Sequence, residues 1–429
     1  MSMDTCKTEY LIIEQSPPLC GEVPLFGSKN ATLPIMASLI LTQGRSVIKN
    51  VPLSSDVLCM CTLLEQLGAR ITSYSSSGEF IIDTTSITNY KVDMEIMRKM
   101  RASVLVMGPL LARFGKAQIA LPGGCSIGAR PIDYHLTNFE KMGVRCTVQD
   151  QFLEAVTSGL KPVKLILDYP SVGATENILM AATLTQGKTT IVNAALEPEV
   201  LDLICVLRKM GAFIEIVPPA TLVIHGTTEL KPIEHSVIYD RLEAGSLLVA
   251  ASITGGEIYL PDAREDHLNL FLTKLQEMGH RIITGPDGNG IRLIATDRPR
   301  AISFVTAPFP GYPTDLQAPM MAALSLAQGT SIVRETVFEN RLIHVEQLKK
   351  LGADIRVEGD KAIITGVKKL YGTSIEASDI RASCALALAG LAAHGTTRMK
   401  GYYHWRRGYQ ALEQKLKSLG ANIQLETTR

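Results

Sequence analysis

Eight cysteines in 429 residues, at positions 6, 20, 59, 61, 125, 146, 205 and 384, form no Cys-x-x-Cys pair. They are too sparse for a disulfide scaffold and argue against a Cys-rich zinc site, so a reducing compartment, the cytoplasm, is expected. No apolar run reaches the ~18 residues of a membrane span. The longest candidates are 33–41 and 103–112. Residues 1–10 carry an acid and no apolar stretch, so they do not read as a signal peptide. Excess charge is also missing. Lys plus Arg is 43 against 42 Asp plus Glu, a formal net charge of +1. That balance gives no general attraction for nucleic acid or an anionic membrane, although a local basic cleft is still allowed. G-x-G-x-x-G, G-x-x-x-x-G-K-[ST] and H-E-x-x-H are all absent, and the histidines are dispersed. No nucleotide fingerprint or metal cluster is expected.

Hydrophobic residues make up 46% and charged residues 20%, the composition of an ordinary globular protein. The length suggests two to four domains. The main signal is an internal repeat. Residues 40–71, 183–214 and 325–355 are the clearest copies, 252–282 and 392–423 are weaker, and 112–146 is the most divergent. The leading glycines, Gly44, Gly115, Gly187, Gly256, Gly329 and Gly395, are spaced by 66 to 73 residues. Each copy reads as an Ala/Leu-rich helix capped by this glycine, a short strand such as 46–51 or 189–194, then an amphipathic helix ending at a second glycine. In the first copy the buried face is expected at Leu58, Cys61, Leu64 and Leu67. Six such units exceed one core, so three and three is favoured, with the polar stretch 227–236 as a linker and the cleft between the halves as the default ligand site.

A repeat explains the glycines and the apolar positions, not the residues that one copy alone carries. Four such segments stand out. In 27-GSKNATLPI-35, Ser28 or Asn30 can cap a helix, and Lys29 at a helix start is unfavourable unless an anion lies there. The insertion 121-LPGGCSIGARPIDYH-135 puts Cys125 in a polar, Gly-rich setting near Arg130, where a thiol with lowered pKa can act as acid, base or nucleophile. Asp133 or His135 is its candidate partner. Cys59, Cys61, Cys205 and Cys384 read instead as buried, inert thiols. In 306-TAPFPGYPTDLQAPM-320, Thr314 or Asp315 is either a helix cap or, for Asp315, a general base. The last is a set of arginines, Arg101, Arg341, Arg381, Arg406 and Arg407, suited to phosphate and carboxylate or else to ordinary surface salt bridges.

The motifs 27-GSKNA-31, 100-MRAS-103, 122-PGGCSIGARPID-133, 171-SVGATENI-178, 313-PTDLQA-318, 335-ETVFENR-341, 379-DIRAS-383 and 407-RGY-409 carry a resemblance over residues 10–425. The sequence resembles the enolpyruvyl transferases, and among them the UDP-N-acetylglucosamine 1-carboxyvinyltransferases of peptidoglycan synthesis. The resemblance implies an α/β fold of two similar domains, each of three βαβαββ repeats around a pseudo-threefold axis, an inside-out α/β barrel. One domain would be 29–238, carrying the Cys loop. The other would be 239–429, completed by residues 1–28. The implied reaction transfers the enolpyruvyl group of phosphoenolpyruvate to the 3-hydroxyl of UDP-N-acetylglucosamine, releasing phosphate by addition and elimination. No metal or organic cofactor is implied, and a monomer or weak homo-oligomer is expected.

By the same resemblance, Cys125, Asp315, Lys29 and Arg407 are the catalytic positions. Cys125 would be the acid, able also to form an adduct with the phospholactoyl group, and the thiol that fosfomycin alkylates. Asp315 would be the base. Lys29, Arg130 and Arg407 would hold phosphoenolpyruvate, with Arg101, Arg341 and Arg381 adding positive charge. Asn30 would touch the sugar. Arg130, Pro131, Ile132, Asp133 and His135, with Ser171, Val172 and Gly173, would meet the uracil and diphosphate. Val337 and Glu339 would lie near the sugar, and Asp379 belongs to the same binding set. Two departures stand out: Trp405 and Arg406 where relatives usually have an acid before Arg-Gly-Tyr, and Tyr169 after Asp168 where many have a basic residue. A paralogue using another nucleotide acceptor would have its origin near Tyr169. A non-catalytic descendant would have lost Cys125, Asp315 or the cations, and all are present.

Overall fold

The computed structural model describes residues 8–74, 76–120, 132–149 and 151–428. The described chain divides into two compact units. One is formed by residues 27–120 and 132–238, the other by 8–26 together with 239–428. Each has its own hydrophobic core. No helix among the described residues is long and apolar enough to cross a membrane.

Each unit contains three small sheets of one design. A short strand pairs in parallel with a longer one, and a hairpin then adds its second strand next and its first at the far edge. In the 27–238 unit, Glu234–Ser236 runs parallel to Arg45–Lys49, which pairs antiparallel with Glu79–Asp83, then Arg70–Tyr74. Lys164–Ile166, Lys188–Val192, Thr221–His225 and Phe213–Val217 repeat that order. In the third sheet, Lys116–Ala120 pairs with Phe152–Val156, then Arg145–Gln149, and a single bridge from Lys91 to Gln118 replaces the short strand. The short strands thus pass from each sheet to the next and close a ring of three.

The other unit closes in the same way with a change of supplier. Its last sheet takes Thr8–Glu14 between Thr396–Lys400 and Ile423–Thr428, antiparallel to both. Cys20–Glu22 then runs parallel to Glu257–Arg264. The stretch 227–236 is therefore not a linker: its end, Glu234–Ser236, is a sheet strand.

Inside each ring lie three helices that are largely apolar and mostly buried, as enclosure by their neighbours requires. They are Lys29–Ser38, Met107–Phe114 and Val172–Ala182 in one unit, and Arg241–Thr254, Gln317–Leu324 and Ile380–Ala392 in the other. Of the leading glycines, Gly115 is a left-handed C-cap, while Gly44, Gly187, Gly329 and Gly395 lie past the helix end and turn the chain into its strand. In the fourth copy the left-handed cap is Gly255, not Gly256. Gly256 is required for another reason, since a Cβ there would lie 2.0 Å from the Leu19 carbonyl oxygen.

The outer helix Ser55–Leu67 buries Val57, Met60, Leu63, Leu64 and Leu67; of the expected face Leu64 and Leu67 are buried, Cys61 is half-buried and Leu58 is exposed. Two apolar registers overlap in DVLCMCTLLEQL, and the one that also buries Asp56 is taken. Of the four thiols expected to be buried, Cys384 alone is fully so. Cys59 and Cys61 are half-buried, and Cys205 is exposed.

Candidate functional site

The starts of the inner helices are where the repeat copies differ, and most of the singled-out residues lie there. In the unit of 239–428 these starts carry Asp240, Asp315 and Asp379. In the unit of 27–238 they carry Ser28 and Lys29, Arg101 ahead of Met107–Phe114, and Ser171. A helix start presents unpaired N–H groups and a partial positive charge, so the acids are stabilised there and a cation is not.

Asp315 sits in the single helical turn Thr314–Leu316. It caps nothing, so the capping alternative for Thr314 and Asp315 does not hold. Thr314 Oγ1 instead donates to Glu335 Oε2 at 2.9 Å. The Asp315 carboxylate accepts from two guanidiniums, Arg341 Nη2 at 2.6 Å on Oδ1 and Arg381 Nη2 at 2.8 Å on Oδ2. Both arginine side chains are buried, at 3% and 6% exposure, so these are not ordinary surface salt bridges. Burial alone would raise the Asp315 carboxyl, but Arg381 and Arg341 together hold it well below the usual carboxylate range. Burial likewise works against the Arg381 charge, and Asp315 more than restores it.

The frame around this clamp is made of fixed backbone. Asp379 caps Ile380–Ala392 by accepting from the N–H groups of Arg381 and Ala382 at 2.9 and 3.0 Å. Burial pushes its carboxyl up, while Arg341 and these N–H groups bring it below its ordinary value. Glu335 Oε1 accepts from the N–H groups of Val337 and Phe338 at 2.8 and 3.1 Å, shaping the turn that leads to Arg341. Val337 is half-buried on that turn, and Glu339 is exposed. His344 Nδ1 donates to the Arg341 carbonyl at 3.1 Å, and burial pulls its pKa down to about 4. Arg407 lies in the last turn of Tyr402–Gly408, half-buried. Trp405 fills the core in place of an acid, donating its indole N–H to Glu413 at 2.8 Å, and Arg406 is exposed.

In the other unit Ser28 caps Lys29–Ser38, its Oγ accepting from Ala31 N–H at 3.3 Å. Lys29 is buried in the first turn with its Nζ 3.4 Å from Asp56 Oδ2, so the fold itself supplies an anion there. Asn30 follows, half-buried. His135 meets the start of Val172–Ala182: a Cβ on Gly173 would lie 3.4 Å from His135 Cε1. Ser171 caps that helix by accepting from Ala174 N–H, and Val172 is half-buried beside it. Asn177 Oδ1 accepts from Gly108 N–H at 2.6 Å, and its Nδ2 donates to Val104 O at 2.9 Å and His135 Nδ1 at 3.0 Å. These bonds fix the amide orientation and leave the His135 proton on Nε2. Burial lowers the His135 pKa to about 4, so the ring is neutral at pH 7. Gly108 is obligatory, since a Cβ there would lie 2.2 Å from the Asn177 carbonyl oxygen. Ile132 and Asp133 open the helix Asp133–Lys141, half-buried and exposed respectively.

Within the units, then, Asp315 is brought together with Arg341, Arg381 and Asp379, and His135 with Ser171–Gly173. Cys125, Arg130 and Pro131 lie outside the described residues, and Arg101 is placed by its backbone alone, in the turn Arg101–Val106. Sequence reasoning missed Asp56, Asn177, Glu335 and Tyr409, whose hydroxyl accepts from Arg381 Nη1 at 2.9 Å, as partners of these groups. Three of them stand inside quoted motifs, and Asp56 reads in sequence as an ordinary acid in a first helical turn.

The family model for EPSP synthase (3-phosphoshikimate 1-carboxyvinyltransferase) matches residues 13–416. UDP-N-acetylglucosamine 1-carboxyvinyltransferase 1 of Caldanaerobacter subterraneus subsp. tengcongensis is 45% identical over 417 residues, covering 97% of this chain and 99% of that protein. UDP-N-acetylglucosamine 1-carboxyvinyltransferase 2 of Carboxydothermus hydrogenoformans is 46% identical over 416 residues with the same coverage. Among solved structures, the enolpyruvyl transferase NikO from Streptomyces tendae superposes with a TM-score of 0.89 at 24% identity, covering 99% of this chain and 100% of that one. EPSP synthase from Acinetobacter baumannii gives 0.76 at 17% identity, covering 98% and 100%. At those identities the structures speak for the fold, and the fold of two pseudo-symmetric α/β units is that of the enolpyruvyl transferases. The chain belongs to the EPSP synthase family and, by its 45–46% identity along nearly its whole length, to the UDP-N-acetylglucosamine 1-carboxyvinyltransferases within it.

Proposed function

We propose that the chain transfers the enolpyruvyl group of phosphoenolpyruvate to the 3-hydroxyl of UDP-N-acetylglucosamine, releasing phosphate, in peptidoglycan precursor synthesis. The observation that carries this reading is the likeness, over 97% of the chain, to proteins named for that transfer. The chemistry asks for an acid, a base and cations. In the addition step the methylene carbon of phosphoenolpyruvate gains a proton and its neighbouring carbon becomes oxocarbenium-like. The sugar oxygen bonds to that carbon and gives up its proton. In the elimination step the methyl carbon loses a proton, the carbon–oxygen bond to phosphate breaks, and phosphate leaves.

Asp315 is our candidate for the base. A carboxylate held this low stays ionised at pH 7 and has little affinity for a proton, so it accepts one only as the new carbon–oxygen bond makes the hydroxyl acidic. Cys125 is the proposed acid, and Lys29, Arg130 and Arg407 the proposed holders of the carboxylate and phosphate of phosphoenolpyruvate. His135, neutral and fixed beside the start of Val172–Ala182, suits the nucleotide set with Ile132, Asp133 and Ser171–Gly173. A cytoplasmic setting is part of the proposal, and the free thiols of the described residues suit it.

The test is phosphate release by the purified protein with both substrates together and with each alone, repeated on Cys125→Ala and Asp315→Ala. Release that requires both substrates and collapses in both variants is expected. A folded protein that releases none would overturn the reading.

A further inference from the structure

Tyr409 lies two residues past Arg407 and is buried at 3% exposure. Its hydroxyl takes a hydrogen bond from Arg381 Nη1 at 2.9 Å, while Nη2 of the same guanidinium donates to Asp315 at 2.8 Å. The Tyr409 oxygen is also 3.1 Å from Ser246 Oγ, and Ser246 Oγ donates to the Leu242 carbonyl at 2.8 Å. The direction of this chain follows from the groups themselves. Arginine only donates, so the phenol oxygen accepts from it. Ser246 spends its proton on Leu242, so Tyr409 donates to Ser246. The guanidinium Cζ lies 5.4 Å from the phenol ring centroid, within cation–π range. Arg381 thus has one arm on Asp315 and the other on a phenol anchored to the inner helix Arg241–Thr254.

We propose that Tyr409 is a positioning residue for the transfer: its hydroxyl fixes the second arm of Arg381 and through it the orientation of the Asp315 carboxylate. This rests on Asp315 serving as the base. The geometry gives the reason. Asp315 has two oxygens and two buried guanidiniums, and the lone pair that faces a substrate hydroxyl is set by where those guanidiniums are pinned. Arg341 is pinned through its own backbone turn by Glu335 and His344. Arg381 leaves the second position of Ile380–Ala392, and Tyr409 is the side chain that holds its far nitrogen. Through the backbone the same residue ties the Arg407 segment to this clamp.

Tyr409→Phe removes the hydroxyl and keeps the ring that packs on Trp405 and on Arg381. Losing a hydrogen bond to a charged group by this change lowers kcat by about tenfold or more. KM for UDP-N-acetylglucosamine stays close to wild type, and the melting temperature falls only modestly, by the lost partner of Arg381 Nη1. Ser246→Ala removes the acceptor of the Tyr409 proton but not the Arg381 contact, and is expected to lower kcat less than about threefold. The decisive arm is a double-mutant cycle with Arg381→Lys, which replaces the two-armed guanidinium by a single ammonium. In that background Tyr409→Phe costs less than about twofold. An unchanged kcat in Tyr409→Phe, an equal loss in Ser246→Ala, or a full loss on top of Arg381→Lys would each overturn the proposal. An inactive wild-type protein would instead overturn the transferase reading on which it stands.

Discussion

At the scale of the residue, the arithmetic of Asp315 is one carboxylate against two buried cations. Removing it takes from Arg341 and Arg381 the carboxylate that both hydrogen-bond, leaving Asp379 and Asp240 as the remaining acids that act on them. Such a change costs about 3–5 kcal/mol where a buried pair is broken. Asp315→Asn keeps the shape and Asp315→Ala does not, yet both lose the charge and the proposed proton acceptor. Both variants are therefore expected to melt lower than wild type and to lose turnover by about a hundredfold or more. Thermal melts and phosphate release check the two effects separately. The pH dependence has a definite sign. Because the folded pKa lies below the unfolded one, the stabilisation is complete above the ordinary carboxylate range and is lost as pH falls through the folded value. The melting difference between wild type and Asp315→Asn should be flat from pH 6 to pH 8. A difference that grows on acidification would contradict the clamp.

At the scale of the element, the repeat made the helices and strands legible, because glycine spacing and apolar runs are local properties of the chain. Side-chain networks were legible only in part. Asp315 could be picked out as a candidate from an unusual Pro-rich segment. That it is held by Arg341 and Arg381 could not be read, since the partners lie 26 and 66 residues away in sequence. The same limit hid the pair of Glu243 and Lys415, which joins Arg241–Thr254 to the helix Leu412–Ser418 at 2.8 Å with both side chains buried. Glu243 also accepts from Phe26 N–H at 2.9 Å, and the Lys415 ammonium lies 3.7 Å from the Phe26 ring centroid. The pair therefore secures the end of the N-terminal segment to its own unit. Burial pushes the Glu243 carboxyl up to about 7 despite Lys415, which pulls it down. With a folded pKa above the unfolded one, this acid lowers stability as pH rises towards 7. Lys415→Met removes the one neighbouring cation and pushes the carboxyl higher still. The destabilisation should approach about 3–5 kcal/mol at pH 8, where Glu243 must ionise unpaired or hold its proton at a cost. It should shrink at pH 5, where the neutral acid is already favoured. Denaturant melts at the two pH values measure it, and an equal loss at both would show that packing, not charge, is what Lys415 supplies.

At the scale of the whole molecule, the two units close their rings differently. Residues 27–238 supply every strand of their own unit in one continuous stretch. The other unit takes Thr8–Glu14 into its last sheet, paired on both sides, with Leu11 and Ile13 fully buried between neighbours. An inner strand contributes two ladders of hydrogen bonds, and each of those side chains contributes roughly 1.5–3 kcal/mol by burial. Its removal also leaves Thr396–Lys400 and Ile423–Thr428 with unpaired edges facing each other across a gap. Cys20–Glu22 follows directly and joins the next sheet of the same ring, so the first residues hold two of the three sheets together. Deleting residues 1–16 should therefore unfold residues 239–428 while leaving 27–238 folded, because no strand of that unit is touched. Limited proteolysis with the surviving fragment sized by mass spectrometry decides it. A resistant fragment within 27–238, with rapid loss of everything after 239, is the expected result, and wild-type resistance throughout would mean that the last sheet holds without its inner strand. The same connectivity orders folding on the ribosome: the contiguous unit is complete once residue 238 has emerged, whereas Thr8–Glu14 waits for Thr396–Lys400 and Ile423–Thr428 before it can pair.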